Sequence, residues 1–153
     1  MQKITPYLWF DNQAEEAMMF YTSIFPHSKI SDVMRPDPNG PILAATFELH
    51  GQEFMVLNGG PQFKFTEAIS FLVKCETQEE VDKLWTQLTA DGGEESMCGW
   101  LKDKYGLSWQ IIPNLLGELM GDPDPEKAQR VMQAMLKMRK IECSLLQQAY
   151  DGQ

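Results

Sequence analysis

Positive charge is scarce in this sequence. Its 153 residues hold 13 Lys+Arg against 22 Asp+Glu, a formal net charge of −9. That balance repels phosphate backbones and anionic lipid, so nucleic acid and membrane surfaces are excluded as first-choice partners. Long apolar runs are lacking too, and no window approaches the ~18 residues a membrane span needs. The opening Met-Gln-Lys-Ile-Thr-Pro shows no basic region followed by an apolar stretch, and a cytoplasmic location is expected. Cysteine is sparse: Cys75, Cys98 and Cys143 are odd in number, far apart and form no C-x-x-C pair, which points to reduced, mostly buried thiols. There is no low-complexity segment. What remains is an acidic chain long enough for one globular domain with a substantial core.

The pattern opens with a short apolar and aromatic run, Ile4 to Phe10, read as a strand. Asn12-x-x-Glu15 has the form of a capping box, and Ala14, Ala17, Met18, Tyr21 and Phe25 recur at helical spacing until Pro26. Lys29 to Met34, Ile42 to His50 and Gln52 to Leu57 read as three strands, the last two joined by His50-Gly51. The first half is therefore β-α-β-β-β. After Gly59-Gly60-Pro61 the pattern restarts. Ala68 to Cys75 reads as a strand, Thr77-x-x-Glu80 as a second capping box, and Val81, Leu84, Trp85 and Leu88 as a helical stripe. Ser96 to Leu101 suits a short strand and Leu107 to Ile112 another, giving β-α-β-β with room for one further strand.

Sliding one half along the other tests for an internal repeat. At an offset of 64 (79 − 15), Glu15-Glu16 falls on Glu79-Glu80, Leu8 on Leu72, Tyr21 on Trp85, Thr22 on Thr86 and Ile24 on Leu88. At 55 (106 − 51), Gly51 falls on Gly106, Phe54 on Trp109 and Val56-Leu57 on Ile111-Ile112. Chance agreement between two amphipathic helices is the competing reading. In the tail, Asp124-Pro125-Glu126 starts a third helix carrying Ala128, Val131, Met132 and Met135, with Lys137, Arg139 and Lys140 in its last turn, where cations favour the dipole. Its Met-rich face suits either the chain's own sheet or a second subunit.

Several stretches together resemble a known family. They are Ile4-Thr-Pro-Tyr-Leu-Trp-Phe, Ala14-Glu-Glu-Ala17 with Phe20-Tyr21, Glu67-Ala-Ile-Ser-Phe71, Thr77-Gln-Glu-Glu-Val81, Cys98-Gly-Trp-Leu-Lys-Asp103 and Tyr105-Gly-Leu-Ser-Trp-Gln110. They resemble the PhnB-like family, also labelled the 3-demethylubiquinone-9 3-methyltransferase family, of the vicinal oxygen chelate superfamily (glyoxalase, bleomycin-resistance proteins and extradiol dioxygenases). The resemblance implies an α+β fold of paired βαβββ modules forming an open, cup-shaped mixed sheet, commonly in a homodimer. The modules fall at about 1–60 and about 66–113 of a single domain spanning 1–153, with a C-terminal helical extension at about 114–153.

The resemblance also implies a divalent metal held in the cup by His, Glu or Gln from the first and last strands of each module. Gly106-Leu-Ser-Trp-Gln-Ile-Ile resembles the superfamily's Gly-x-x-Ile-Glu stretch and puts Gln110 at a ligand position. Its repeat mate is Met55 (110 − 55), and a thioether is a poor ligand for hard divalent ions. The first-strand positions fall near Thr5 or Pro6 and near Ala68 or Ile69. Glu67 is the nearest alternative, one register step away. The histidines, His27 and His50, fall outside these positions and read as solvent-facing. No tightly bound metal and no cofactor is expected, with Gln110 and Glu67 as the weak metal candidates. The methyltransferase label lacks its usual sequence support, since neither Gly59-Gly60 nor Gly92-Gly93 opens a helix after a strand.

A cup without metal is a concave pocket of apolar, aromatic and a few polar groups, the usual description of a small-molecule site. Strand alternation nominates Tyr7, Trp9, Met55, Trp100, Ser108 and Gln110 as its lining. Cys98 with Asp103 suggests a nucleophile and acid, but no His is spaced to serve as base, and a structural thiol is the better reading. Glu15-Glu16 and Glu79-Glu80 belong to first helical turns, where carboxylates favour the dipole. The expected function is small-molecule binding with a degenerate metal site. The alternative is a metal-dependent enzyme of lyase, isomerase or dioxygenase type, and a third possibility is a domain that only dimerises.

Overall fold

The computed structural model describes residues 2–153. The chain divides into two compact units, one running to Lys64 and one from Phe65 to Gln153. In the first, β1 (Tyr7–Phe10), α1 (Ala14–Ile24), β2 (Lys29–Met34), β3 (Ala44–Leu49) and β4 (Gln52–Asn58) form one sheet in the order β1-β4-β3-β2. The outer pair β1 and β4 is parallel, and the other neighbours are antiparallel. Alternation decides the faces. Leu8, Phe10, Phe54, Val56, Ala45, Phe47 and Leu49 are buried, and α1 adds Ala14, Ala17, Met18, Tyr21 and Ile24 to the same core. Tyr21 stacks on Phe47 and Phe47 on Phe54, with ring centroids 6.5 and 5.5 Å apart.

The second unit repeats this topology. Its elements are β5 (Ser70–Cys75), α2 (Gln78–Thr89) with one 3₁₀ turn at Ala90–Gly92, β6 (Glu94–Glu95), β7 (Trp100–Lys102) and β8 (Ser108–Pro113). Their order is β5-β8-β7-β6, again with a parallel outer pair. Val81, Leu84, Trp85 and Leu88 of α2 are buried, as are Leu101, Trp109 and Ile111. The shared strand order establishes the duplication and adds β6, the further strand for which the sequence left room.

Register corrects one offset. Met55 pairs with Tyr7, and its repeat mate Gln110 pairs with Leu72, so the opening strands correspond at 65 (72 − 7). Leu8 therefore matches Val73, not Leu72. The helices keep 64, because three residues separate β1 from α1 and only two separate β5 from α2. The opening strands are also shorter than expected. Pro6 has no N–H to give a ladder, and the Ala68 amide is taken by Thr66 Oγ1 at 3.2 Å. Ser96 to Leu101 is not one strand, because Cys98 (φ 59°) and Gly99 (φ 84°) turn the chain between β6 and β7.

Thr77 caps α2, accepting from the Glu80 amide at 3.1 Å. Asn12 does not cap α1. Instead, Asn58 at the end of β4 accepts from the Ala14 amide at 2.9 Å and donates to the Ile42 carbonyl at 3.0 Å. The tail holds three helices rather than one: α3 (Asn114–Met120), α4 (Pro125–Met135) and α5 (Cys143–Asp151). They close over Leu116, Leu119, Val131, Met138, Ile141 and Leu146. Asp124 caps α4, accepting from the Glu126 amide at 3.0 Å. That helix ends before the basic cluster, because the Met138 and Arg139 carbonyls turn aside to accept from the Cys98 and Gly99 amides. Lys140 instead pairs with Asp82 at 2.8 Å and Arg139 with Glu95 at 3.8 Å.

Candidate functional site

Each sheet packs one face under its helices, and the six nominated residues all lie on the opposite faces, five of them at least partly exposed and Ser108 buried. On the first sheet, Tyr7 lies beside Met55, and Trp9 one pleat further along β1 lies beside Leu57. Tyr7 is 49% exposed; Trp9 and Met55 are half-buried. Trp9 is held on three sides. Its indole Nε1 donates to the Gly60 carbonyl at 2.9 Å. Phe63 meets it edge-on at 5.0 Å between ring centroids. Gly59 lies so close that an added Cβ would sit 2.4 Å from Trp9 Cζ2. Gly59 is thus required by close approach, a role the sequence showed only as part of a turn. Phe63, in the loop after β4, has no periodicity that marks it.

On the second sheet the open face carries two rows. Trp100, Gln110 and Leu72 are neighbours across β7, β8 and β5, and so are Lys102, Ser108 and Ser70. Gln110 Nε2 donates to Ser70 Oγ at 2.9 Å. Ser108 is 1% exposed, and its hydroxyl has no hydrogen-bond partner among the protein's own atoms. Lys102 forms an ion pair with Glu67. The hydrogen bond from the ammonium, then its charge, holds the Glu67 carboxyl below its ordinary value, and the carboxylate in turn raises Lys102. Glu67, Glu94, Glu95, Ser96 and Lys102 line a hollow of about 360 Å³ beside this row. Ser70 was legible as the alternate neighbour of Leu72, but Lys102 was masked by the expectation of a strand ending at Leu101.

The turn that carries β8 is organised by Asp103. This carboxylate is 2% exposed. It accepts from the Tyr105 and Leu107 amides at 2.9 and 3.1 Å and from the Trp109 indole at 2.9 Å. Asp103 is therefore committed to the β7–β8 turn and does not serve Cys98. Burial pushes the Cys75 thiol up to about 12, which keeps it protonated and non-nucleophilic. All three cysteines are free.

The superfamily metal can be tested against these side chains. Met55 offers a thioether, Tyr7 and Leu72 stand opposite the two closing-strand positions, and Gln110 gives its amide to Ser70. Thr5, just ahead of β1, donates its hydroxyl to Glu53 at 2.7 Å. This donor set does not suit a hard divalent ion. Among the described residues, no three or more His, Cys, Asp or Glu side chains are grouped so as to hold a metal.

Comparison with known proteins gives a concordant picture. Solved structures with the same fold include a glyoxalase/bleomycin resistance protein from Albidiferax ferrireducens (13% identity, TM-score 0.50, covering 73% of this chain and 98% of that one). Another is the fosfomycin resistance protein FosX from Listeria monocytogenes (12% identity, TM-score 0.52, 74% and 90%). A PhnB protein from Bacillus cereus, bearing the 3-demethylubiquinone-9 3-methyltransferase name, is much nearer in sequence: 44% identity, TM-score 0.67, 73% of this chain and 99% of that one. No curated protein sequence matches. No helix among the described residues is long and apolar enough to cross a membrane. The family model described as 3-demethylubiquinone-9 3-methyltransferase matches residues 2–112, both sheets included, and the chain belongs to this PhnB-like family of the glyoxalase/bleomycin-resistance fold.

Proposed function

We propose that the chain is a cytoplasmic, homodimeric small-molecule-binding protein whose superfamily metal site has degenerated. The observation that carries this reading is the partly exposed row of Trp100, Gln110 and Leu72 on the second sheet. Trp100 and the Gln110 amide supply a stacking surface and an orienting group, and Tyr7, Trp9 and Met55 offer a second, largely apolar surface. Methyl transfer from a nucleotide-bearing donor is a poor fit, because none of the turns from strand into helix, after β1, β5 and β8, contains glycine.

A metal-dependent enzyme is the second reading. It is favoured by the retention of Gln110 on the closing strand and by the manganese(II) in the FosX structure. Native mass spectrometry of protein purified without added metal or chelator separates the two. A metal-free dimer carrying an extra small mass supports the binding protein, and one metal per subunit that persists in His27→Asn and in His50→Asn overturns it. A Gln110→Ala variant with unchanged metal content and ligand binding removes the main support of the enzyme reading.

A further inference from the structure

The histidines His27 and His50 play no part in the open faces, yet the fold brings them together. Lys29 on β2 pairs with Glu48 on β3. His27 lies two residues before Lys29 and His50 two residues after Glu48, so both stand at the same end of this antiparallel ladder. Their ring centroids are 5.9 Å apart with planes inclined at 57°. Phe25 backs His50 edge-on at 6.2 Å. Beside the pair is a hollow of about 310 Å³ lined by His27, Ser28, Lys29, Glu48 and Gly51.

His27 (φ 56°) and His50 (φ 49°) are both left-handed, a conformation that accommodates histidine, as it does asparagine, without requiring it. His50-Gly51 is a two-residue hairpin turn, where Asn-Gly is the favoured pair. Two imidazoles presented to solvent at one edge are the donors that zinc, nickel and copper take. With metal–nitrogen bonds of about 2.0–2.1 Å, two imidazoles on one ion place their ring centroids about 5–6 Å apart. The observed separation lies in that range.

We propose that His27 and His50 together bind one divalent transition-metal ion, of the zinc or copper type, at the end of the β2–β3 ladder, with water completing the coordination. Two protein ligands make a weaker site than the three or four of a structural or catalytic centre. The net charge of −9 favours a cation, and the Glu48 carboxylate on the wall of the hollow adds local negative charge, partly offset by its 3.0 Å ion pair with Lys29.

The test is calorimetric titration of the full chain with zinc chloride, with the electron paramagnetic resonance of added copper(II) reporting nitrogen coordination. His27→Asn and His50→Asn are the informative variants, because asparagine tolerates the left-handed backbone. Circular dichroism confirms that each is folded. The expected result is one zinc per chain, two nitrogens on copper, and at least the about tenfold loss of affinity in either variant that removal of even an outer-shell partner causes. Zinc affinity unchanged in both variants, no binding at millimolar zinc, or one zinc shared between two chains overturns the proposal.

Discussion

Asp103 is the side chain whose loss should be felt most in the second unit. In Asp103→Ala, three N–H groups lose their acceptor. The Tyr105 amide is half-buried and finds water, but Leu107 and the Trp109 indole are 1% and 3% exposed and do not. At about 1–3 kcal/mol for each orphaned buried donor, the loss comes to about 4 kcal/mol. For a chain of this size that lowers Tm by about 8–16 °C. Asp103→Asn keeps an oxygen for the two backbone amides but turns an NH2 toward the indole, and should lose about half as much. Urea unfolding followed by tryptophan fluorescence measures each variant. The decisive comparison is with Trp109→Phe, which removes the indole donor. If the indole contact contributes, the double variant is more stable than the sum of the single losses predicts, by about 1–2 kcal/mol. Strict additivity, or an Asp103→Ala cost under about 1 kcal/mol, refutes the assignment.

Gly59→Ala forces the Trp9 ring away and is expected to cost about 1–3 kcal/mol of overpacking, with a shifted Trp9 emission maximum; unchanged emission contradicts the contact. Ser108→Ala removes a buried hydroxyl with no partner among the protein's own atoms, so the protein should be as stable or up to about 1 kcal/mol more stable; a destabilised variant means that the hydroxyl already has a partner. Tyr150 donates to Asp122 at 2.6 Å, which lowers the carboxyl below its ordinary 3.8 and raises the phenol above 10.0. The carboxylate's contribution is present above pH 3.8 and lost as pH falls through its depressed folded value, whereas the phenol's is present below pH 10 and lost as pH rises through its elevated one. Amide exchange in α5 should therefore quicken at both extremes, and Tyr150→Phe should flatten the profile.

Local signals were legible where one residue type meets one need. Thr77 caps α2 as its spacing indicates, Asp124-Pro125 starts α4, and alternation put Tyr7, Trp9, Met55, Trp100, Ser108 and Gln110 on the strand faces away from the helices. The duplication was visible because Tyr21 and Trp85 occupy equivalent buried positions. Other features depend on partners distant in sequence. Asn58 caps α1 from another strand, which no local pattern in Asn12-Gln13 discloses. The opening-strand register hinges on one residue in a turn, a length that hydrophobic period alone does not count. The tail reads as one helix because α4 and α5 are divided by backbone bonds from Cys98 and Gly99 to Met138 and Arg139, which are invisible in Lys137 to Lys140. The proximity of His27 and His50 follows only from the β2–β3 register.

The β2 strand leaves a row of backbone donors and acceptors at the margin of its sheet, with all six of its residues exposed and Ile30, Val33 and Met34 among them. Such a margin is a template for fibril growth. Here Lys29 and Asp32 interrupt the apolar side chains, and a bulge between Ile30 and Asp32 breaks the spacing that an incoming strand needs. Edge-to-edge pairing is thus opposed by a ladder defect and two charges, and straightening that defect would give the chain a route to self-assembly that its folded stability alone does not block.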